Sequence, residues 1–209
     1  MSVFDEHYRE SVALRDGSQV TLRLVRPDDK QLLRRGFARL SPASRYRRFL
    51  SAKNELSDAE LAYFTELDQQ NHLAIGALAR DDAGEEEGVA IARFIRSTTD
   101  PRAAEAAVAV VDDWQRRGLG TLLLLRLAAA ARERGIERFT ARALSSNAEI
   151  REILGQLPEG VQVAYEGDQL GVAVELAGVP APQLGAGESG TMHGRLLALV
   201  ARGLLRWLR

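Results

Sequence analysis

The sequence predicts one α/β (α+β) domain over about residues 13–178, built on a mixed, mostly antiparallel sheet of six to seven strands flanked by helices. Three observations carry this. Residues 72–80 and 89–96 are strand-like runs on either side of an acidic, glycine-containing turn, which is a hairpin pattern. Residues 103–111 are small and β-branched and lead through a turn with two glycines into a leucine-rich stretch of helical length, residues 119–134. Residues 161–165 and 170–176 repeat the hairpin pattern around Glu166-Gly167-Asp168.

The remaining elements follow in chain order. Residues 1–12 carry no clear pattern and are expected to be a loose leader. Residues 20–26 alternate apolar and polar at period two, as a half-buried strand does. Pro27-Asp28-Asp29 then opens a helix, with proline at an early position and acids at the positive end of the dipole. Leu32, Leu33, Phe37 and Leu40 give it an apolar stripe. Ser41-Pro42 begins a second helix carrying Tyr46, Phe49 and Leu50. Ser57-Asp58-Ala59-Glu60 is a capping box for a third, followed by Leu61, Tyr63, Phe64 and Leu67. The long helix ends at Gly135, with Arg132 and Arg134 in its last turn where the dipole favours cations. Residues 139–144 read as a strand and residues 147–157 as a helix that Asn147 can cap.

Beyond the domain, residues 179–194 are rich in Gly, Pro and Ser and read as a linker. Residues 195–209 form a basic amphipathic helix, with Leu196, Leu199, Val200, Leu204, Trp207 and Leu208 on one face and Arg195, Arg202, Arg206 and Arg209 outside it. Such a helix lies on a membrane surface, or docks on its own domain or on a second copy in a homodimer.

Composition narrows the functional classes. Of 209 residues, 45% are hydrophobic and 27% charged, with a net charge of -1, so nothing global draws the chain to nucleic acid. There is no cysteine, which excludes thiolate metal sites, disulfides and a cysteine nucleophile, and fits the cytoplasm. The three histidines, His7, His72 and His193, are too scattered for a histidine-rich metal site, so no metal is expected. No secretory signal and no spanning segment is evident.

The chemistry concentrates at Gln115-Arg116-Arg117-Gly118-Leu119-Gly120-Thr121. A strand that enters a glycine turn and then a helix presents backbone N–H groups with no intrahelical acceptor. The dipole adds partial positive charge, and together they cradle a pyrophosphate. Gly118 and Gly120 let the backbone approach the phosphate without a Cβ in the way. Arg116 and Arg117 add charge, and Thr121 a hydroxyl. The pattern is neither a Walker motif nor a three-glycine dinucleotide fingerprint. An ordinary strand-to-helix turn would carry the same two glycines.

Gln/Arg-x-x-Gly-x-Gly/Ala after a strand is the pyrophosphate signature of the GNAT superfamily of acetyl-CoA-dependent N-acetyltransferases, and residues 18–176 resemble that family in the order of their elements. Ala92-Arg93-Phe94-Ile95-Arg96, Ala104-Glu105, Trp114-Gln115, Glu137-Arg138-Phe139, Leu144-Ser145-Ser146-Asn147 and Leu40-Ser41-Pro42-Ala43-Ser44-Arg45-Tyr46 resemble the catalytic domain of bacterial Pat-type protein-lysine acetyltransferases. Some relatives also carry a cyclic-nucleotide-binding domain, for which these 209 residues are expected to leave no room.

The resemblance implies a GNAT fold with a splayed parallel strand pair, acetyl-CoA as cosubstrate, and an amine acceptor. The acceptor is a protein lysine, with a small-molecule amine as the alternative. It further implies that backbone groups of Val108 and Val110 pair with pantetheine, that Asn147 touches its amide, and that Glu105 is the general base. An acid in that apolar run is expected to be buried, which would raise its pKa. A solvent-facing strand residue is the plainer reading of Glu105. The family's acid, a tyrosine seven residues after the asparagine, is replaced by Leu154, and Tyr165 is a distant substitute. Arg116 stands where the family often has glycine. Trp114 is read as a packing anchor. Arg45, Arg47 and Arg48, and the run Glu85-Glu86-Glu87, are read as solvated surface. A non-catalytic acyl-CoA sensor or interaction module remains a further alternative.

Overall fold

In a computed structural model, the described residues are 2–49, 53–144, 161–166 and 169–179. The side chains of 47–49, 141–144, 161, 163, 165, 166, 169, 170 and 178 are outside the description. The helix expected at 147–157, Asn147, Leu154, the 179–194 linker beyond Val179 and the basic segment 195–209 therefore lie outside it, as does the Tyr165 side chain.

The chain forms strands β1 (Arg9–Ala13) and β2 (Gln19–Leu24), helices α1 (Lys30–Ala38), α2 (Pro42–Phe49) and α3 (Asp58–Thr65), strands β3 (His72–Arg80), β4 (Glu86–Arg96) and β5 (Ala103–Val110), helix α4 (Leu119–Glu133), and strands β6 (Arg138–Leu144), β7 (Val161–Glu166) and β8 (Gln169–Glu175). The strands make one sheet in the order β1-β2-β3-β4-β5-β6-β8-β7. Every neighbouring pair is antiparallel except β5 and β6. The sheet is thus mixed and mostly antiparallel, as expected, and holds one strand more than the six to seven read from the sequence.

The added strand corrects the reading of residues 1–12 as a loose leader. Tyr8, Glu10, Val12 and Leu14 are all buried and alternate with exposed residues, and Phe4 is 2% exposed. One of its inward residues is a glutamate, which breaks the apolar alternation a half-buried strand shows in sequence. Glu10 is neutralised by Arg126 of α4, which is fully buried and reaches it through Nε at 2.9 Å and Nη2 at 2.8 Å. The Tyr8 hydroxyl donates to the same carboxylate at 2.7 Å.

Two layers cover the sheet. On one face α4 packs against β3, β4 and β5. Its leucines and alanines meet Ala104 and Ala106 of β5, and this is the main core. On the other face α1 and α3 enclose a smaller core of Phe37, Leu40, Leu56, Leu61 and Phe64. There α1 lies directly on β4, because a Cβ on Gly36 would sit 3.0 Å from the carbonyl oxygen of Gly88. The capping box at α3 forms as the sequence implies, with Ser57 accepting from the Glu60 N–H and Glu60 from that of Ser57. Gly135 takes the left-handed turn that ends α4, at φ 73°.

Candidate active site

β5 is the strand that builds the site. On one side it pairs with β4 from Ala104–Arg96 to Val110–Ala90. On the other it pairs with β6 only at Ala103, Ala104 and Glu105, although β5 runs on to Val110 and β6 to Leu144. The parallel pair therefore splays apart after Glu105, and residues 106–110 present an open edge.

The hydrogen-bond alternation fixes which groups that edge offers. Ser97 donates to the Ala103 carbonyl, and the Val111 N–H donates to Val89. In an antiparallel ladder alternate residues bond to the same neighbour, so odd-numbered residues of β5 face β4 and even-numbered ones face away. The backbone groups of Ala106, Val108 and Val110 thus point to the open edge. The side chains alternate independently. Ala104 and Ala106 enter the α4 core, with Val108 and Val110 packed against it. Glu105, Ala107 and Ala109 stand on the opposite face.

Glu105 sits at the fork, opposite Ile95 on β4 and Thr140 on β6. Its side chain is exposed rather than buried. This corrects the expectation that it is buried: only its backbone joins the apolar run, while the strand's alternation sends the side chain to the face away from α4.

After β5 the chain makes a short turn at Asp112–Trp114 and reaches α4 through two left-handed residues, Arg116 at φ 63° and Gly118 at φ 86°. Gly118 caps α4, and its carbonyl accepts the first helical bond, from Leu122. The N–H groups of Leu119, Gly120 and Thr121 belong to the first turn and have no partner within the helix. Leu119 and Gly120 are buried and Thr121 half-buried, so the Leu119 side chain anchors the turn. Arg116 is exposed, and a non-glycine residue at positive φ is strained by about 1 kcal/mol.

Two side chains of the motif make contacts within the loop. Gln115 turns inward. Its Nε2 donates to the Val110 carbonyl at 3.0 Å and to Asp112 Oδ1 at 2.9 Å, with Ser44 Oγ of α2 at 3.3 Å. It closes one carbonyl on the open edge and ties the turn to α2, which Ser41 reinforces by donating its N–H to Asp112. Arg117 is likewise engaged. Its guanidinium lies 4.7 Å over the Trp114 ring, bonds the Asp113 carbonyl at 2.7 Å and pairs with Asp16 at 2.9 Å. Both brace the loop, and Trp114 packs against the core as expected. Sequence reasoning missed Ser41, Ser44, Asp16 and Asp112 in these roles, because each is brought in from a distant or seemingly neutral position.

A second feature was not foreseen. Between α1, α3 and the sheet lies a cleft of about 870 Å3, solvent at its mouth included. Its floor is Gly76, Ile91, Ala107 and Ala109, and its roof includes Leu33 and Phe37. Its charged walls are Arg23, paired with Asp29 at 2.6 Å, and Arg93. The Arg93 guanidinium lies 4.4 Å over the Phe64 ring and 5.5 Å from that of Tyr63. His72 stacks on Tyr63 at 5.1 Å, and its Nε2 has no hydrogen-bond partner among the described residues. Burial and the Arg93 charge pull its pKa down to about 4, against the attraction of Asp68. Burial raises the Asp68 pKa, but N–H bonds from His72, Gln70 and Asn71 outweigh it and hold the carboxyl at about 2. Among the described residues no cluster of three or more His, Asp or Glu is placed to hold a metal, and no helix is long and apolar enough to cross a membrane.

An open strand edge that runs into a helix N-terminus is suited to hold a thioester carrier by its amides at one end and its diphosphate at the other, which is the arrangement of an acyl-CoA-dependent transferase. The chain belongs to the acetyltransferase (GNAT) family, whose profile matches residues 34–152. It is 34% identical over 152 residues to an acetyltransferase of Pseudomonas aeruginosa, covering 73% of this chain and 80% of that one. It is 32% identical over 169 residues to the acetyltransferase Pat of Mycolicibacterium smegmatis, covering 81% of this chain but only 48% of that longer protein, about half its length. Among solved structures, the GNAT domain of S. lividans PAT superposes with a TM-score of 0.67 at 29% identity, over 82% of this chain and 99% of that one. The protein is therefore a GNAT N-acetyltransferase that uses acetyl-CoA.

Proposed function

We propose that this acetyltransferase modifies lysine side chains of proteins by direct attack in a ternary complex, with Glu105 as general base. The observation that carries the reading is the place of Glu105: an exposed carboxylate at the fork of β5 and β6, one step from the open edge where Val108 can hold the thioester. An ammonium must lose a proton before it can attack, and a carboxylate beside the thioester accepts it directly or through water. The amine nitrogen then bonds to the acetyl carbon, the C–S bond breaks, and CoA leaves as a thiolate that takes a proton from water. A backbone N–H on the open edge stabilises the oxyanion.

The acceptor is inferred from two supports. An exposed base suits an amine borne on a macromolecular surface better than a small amine enclosed in a pocket, and the Pat relatives point the same way. In the cradle, the N–H groups of Leu119, Gly120 and Thr121 meet the pyrophosphate, Arg116 is exposed beside it, and Asn147 is assigned to the pantetheine amide. Intact-mass analysis of candidate proteins and polyamines incubated with acetyl-CoA and the enzyme tests the proposal. Acetylated lysine in a protein supports it. Acetylation of free amines alone would establish the small-molecule reading, and CoA binding without any transfer the sensor reading.

A further inference from the structure

The cleft beneath α1 has no part in the chemistry above. Its floor on β5 is Ala107 and Ala109, which flank Val108, so it opens beside the point where the thioester is proposed to rest. From Ala107 to Val111, which also lines it, the strand runs roughly 13 Å at its usual rise. The floor is low because β3 and β5 place Gly76, Ala107 and Ala109 there, and the roof is the apolar stripe of α1, including Leu33 and Phe37. A cleft this apolar is a poor place for an ammonium. Its charged groups are engaged already: Arg23 pairs with Asp29, and the Arg93 guanidinium stacks on Phe64.

We propose that this cleft receives the acyl chain of the donor, and that the enzyme transfers unbranched acyl groups longer than acetyl, of the butyryl class. The inference rests on the proposed placement of the thioester at Val108. The tail is covalently tied to a carrier held on the adjacent strand edge, so it enters the cleft without a separate association cost. The amine approaches from the Glu105 side, while the tail folds onto the sheet face toward Ala109 and Val111. The step is the same as for acetyl: the nitrogen bonds to the acyl carbon, the C–S bond breaks, Glu105 takes the amine proton, and CoA departs as thiolate. Each methylene moved from water into such a cleft tightens binding about fourfold, so butyryl-CoA gains up to about 15-fold over acetyl-CoA.

Calorimetry with CoA, acetyl-CoA, butyryl-CoA and succinyl-CoA tests this without any acceptor. Wild-type protein is expected to bind butyryl-CoA about tenfold more tightly than acetyl-CoA. In Ala109→Leu that gain disappears while the acetyl-CoA affinity stays within about threefold. Three results would overturn the proposal: equal affinity for butyryl- and acetyl-CoA in the wild type, tighter binding of succinyl-CoA than of butyryl-CoA, or an equal loss for both fatty thioesters in Ala109→Leu. Failure of every thioester and of free CoA to bind would overturn the cradle, and the acyl cleft with it. Rates of transfer from the same thioesters to one acetylated protein follow as the second readout, and butyryl transfer below 1% of acetyl transfer would also refute the proposal.

Discussion

Replacing Arg126 by methionine tests how α4 is held against β1. Arg126 lies in the middle of α4, has no exposed surface, and makes two bonds to Glu10 of β1, itself 7% exposed. Its removal takes the opposite charge away from a buried carboxylate, to which the Tyr8 hydroxyl still donates. Breaking a buried ion pair from one side costs about 3–5 kcal/mol. That is a large share of a typical domain stability of about 5–15 kcal/mol. The neutral double variant Arg126→Met/Glu10→Gln keeps an acceptor for Tyr8 and removes the stranded charge, so it is expected to cost only about 1–2 kcal/mol. The single variant also acquires a pH dependence. Glu10 then binds a proton more tightly folded than unfolded, so stability falls as pH rises through the carboxylate range and the deficit is smaller at pH 5 than at pH 7.5. Urea denaturation followed by tryptophan fluorescence measures all three. An Arg126→Met cost below about 1 kcal/mol, or a double-variant cost equal to the sum of the costs of Arg126→Met and Glu10→Gln made singly, would refute the account of a coupled, buried pair.

Glu105→Gln is expected to lower kcat by about 100-fold or more while CoA affinity stays within about twofold, and unaltered turnover would remove it as the base. Gly120→Glu places bulk and negative charge in the cradle. It should abolish CoA binding in calorimetry while circular dichroism still shows a folded protein. Gly118→Ala meets no heavy atom nearer than Arg15 Nε at 4.0 Å, so only its φ of 86° counts against it. The expected loss is about 1 kcal/mol by denaturant titration, and a loss above about 3 kcal/mol would show crowding that the structure does not contain. His72 has a folded pKa of about 4 against 6.5 for a free imidazole, so between those values the unfolded chain binds the extra proton and stability falls as pH falls. Allowing for partial contact with water, the loss is roughly 1–2 kcal/mol from pH 7 to pH 4, and His72→Phe should flatten that slope.

What the sequence made legible was local. The α3 capping box, the hairpin of β3 and β4, and the strand-turn-helix of β5 and α4 are all written within one element or one turn. For that reason their boundaries fall within a few residues of those expected. What it hid was pairing at long range. Glu10 reads as an exposed acid until Arg126, 116 residues later, is known to be beside it. Gln115 and Arg117 read as ligands for phosphate because they occupy the signature. In the structure they bond Val110, Asp112, Asp113 and Asp16. Arg116 shows the same division from the other side. As a sequence position it is a departure from glycine. As a backbone position, at φ 63°, it preserves the left-handed geometry that glycine would supply at lower cost, and so keeps the turn into α4 in the shape the N–H groups require. The site is therefore encoded in main-chain direction more than in side-chain identity. A variant that changes a motif side chain but keeps φ at Arg116 and Gly118 should disturb CoA binding less than one that changes the φ.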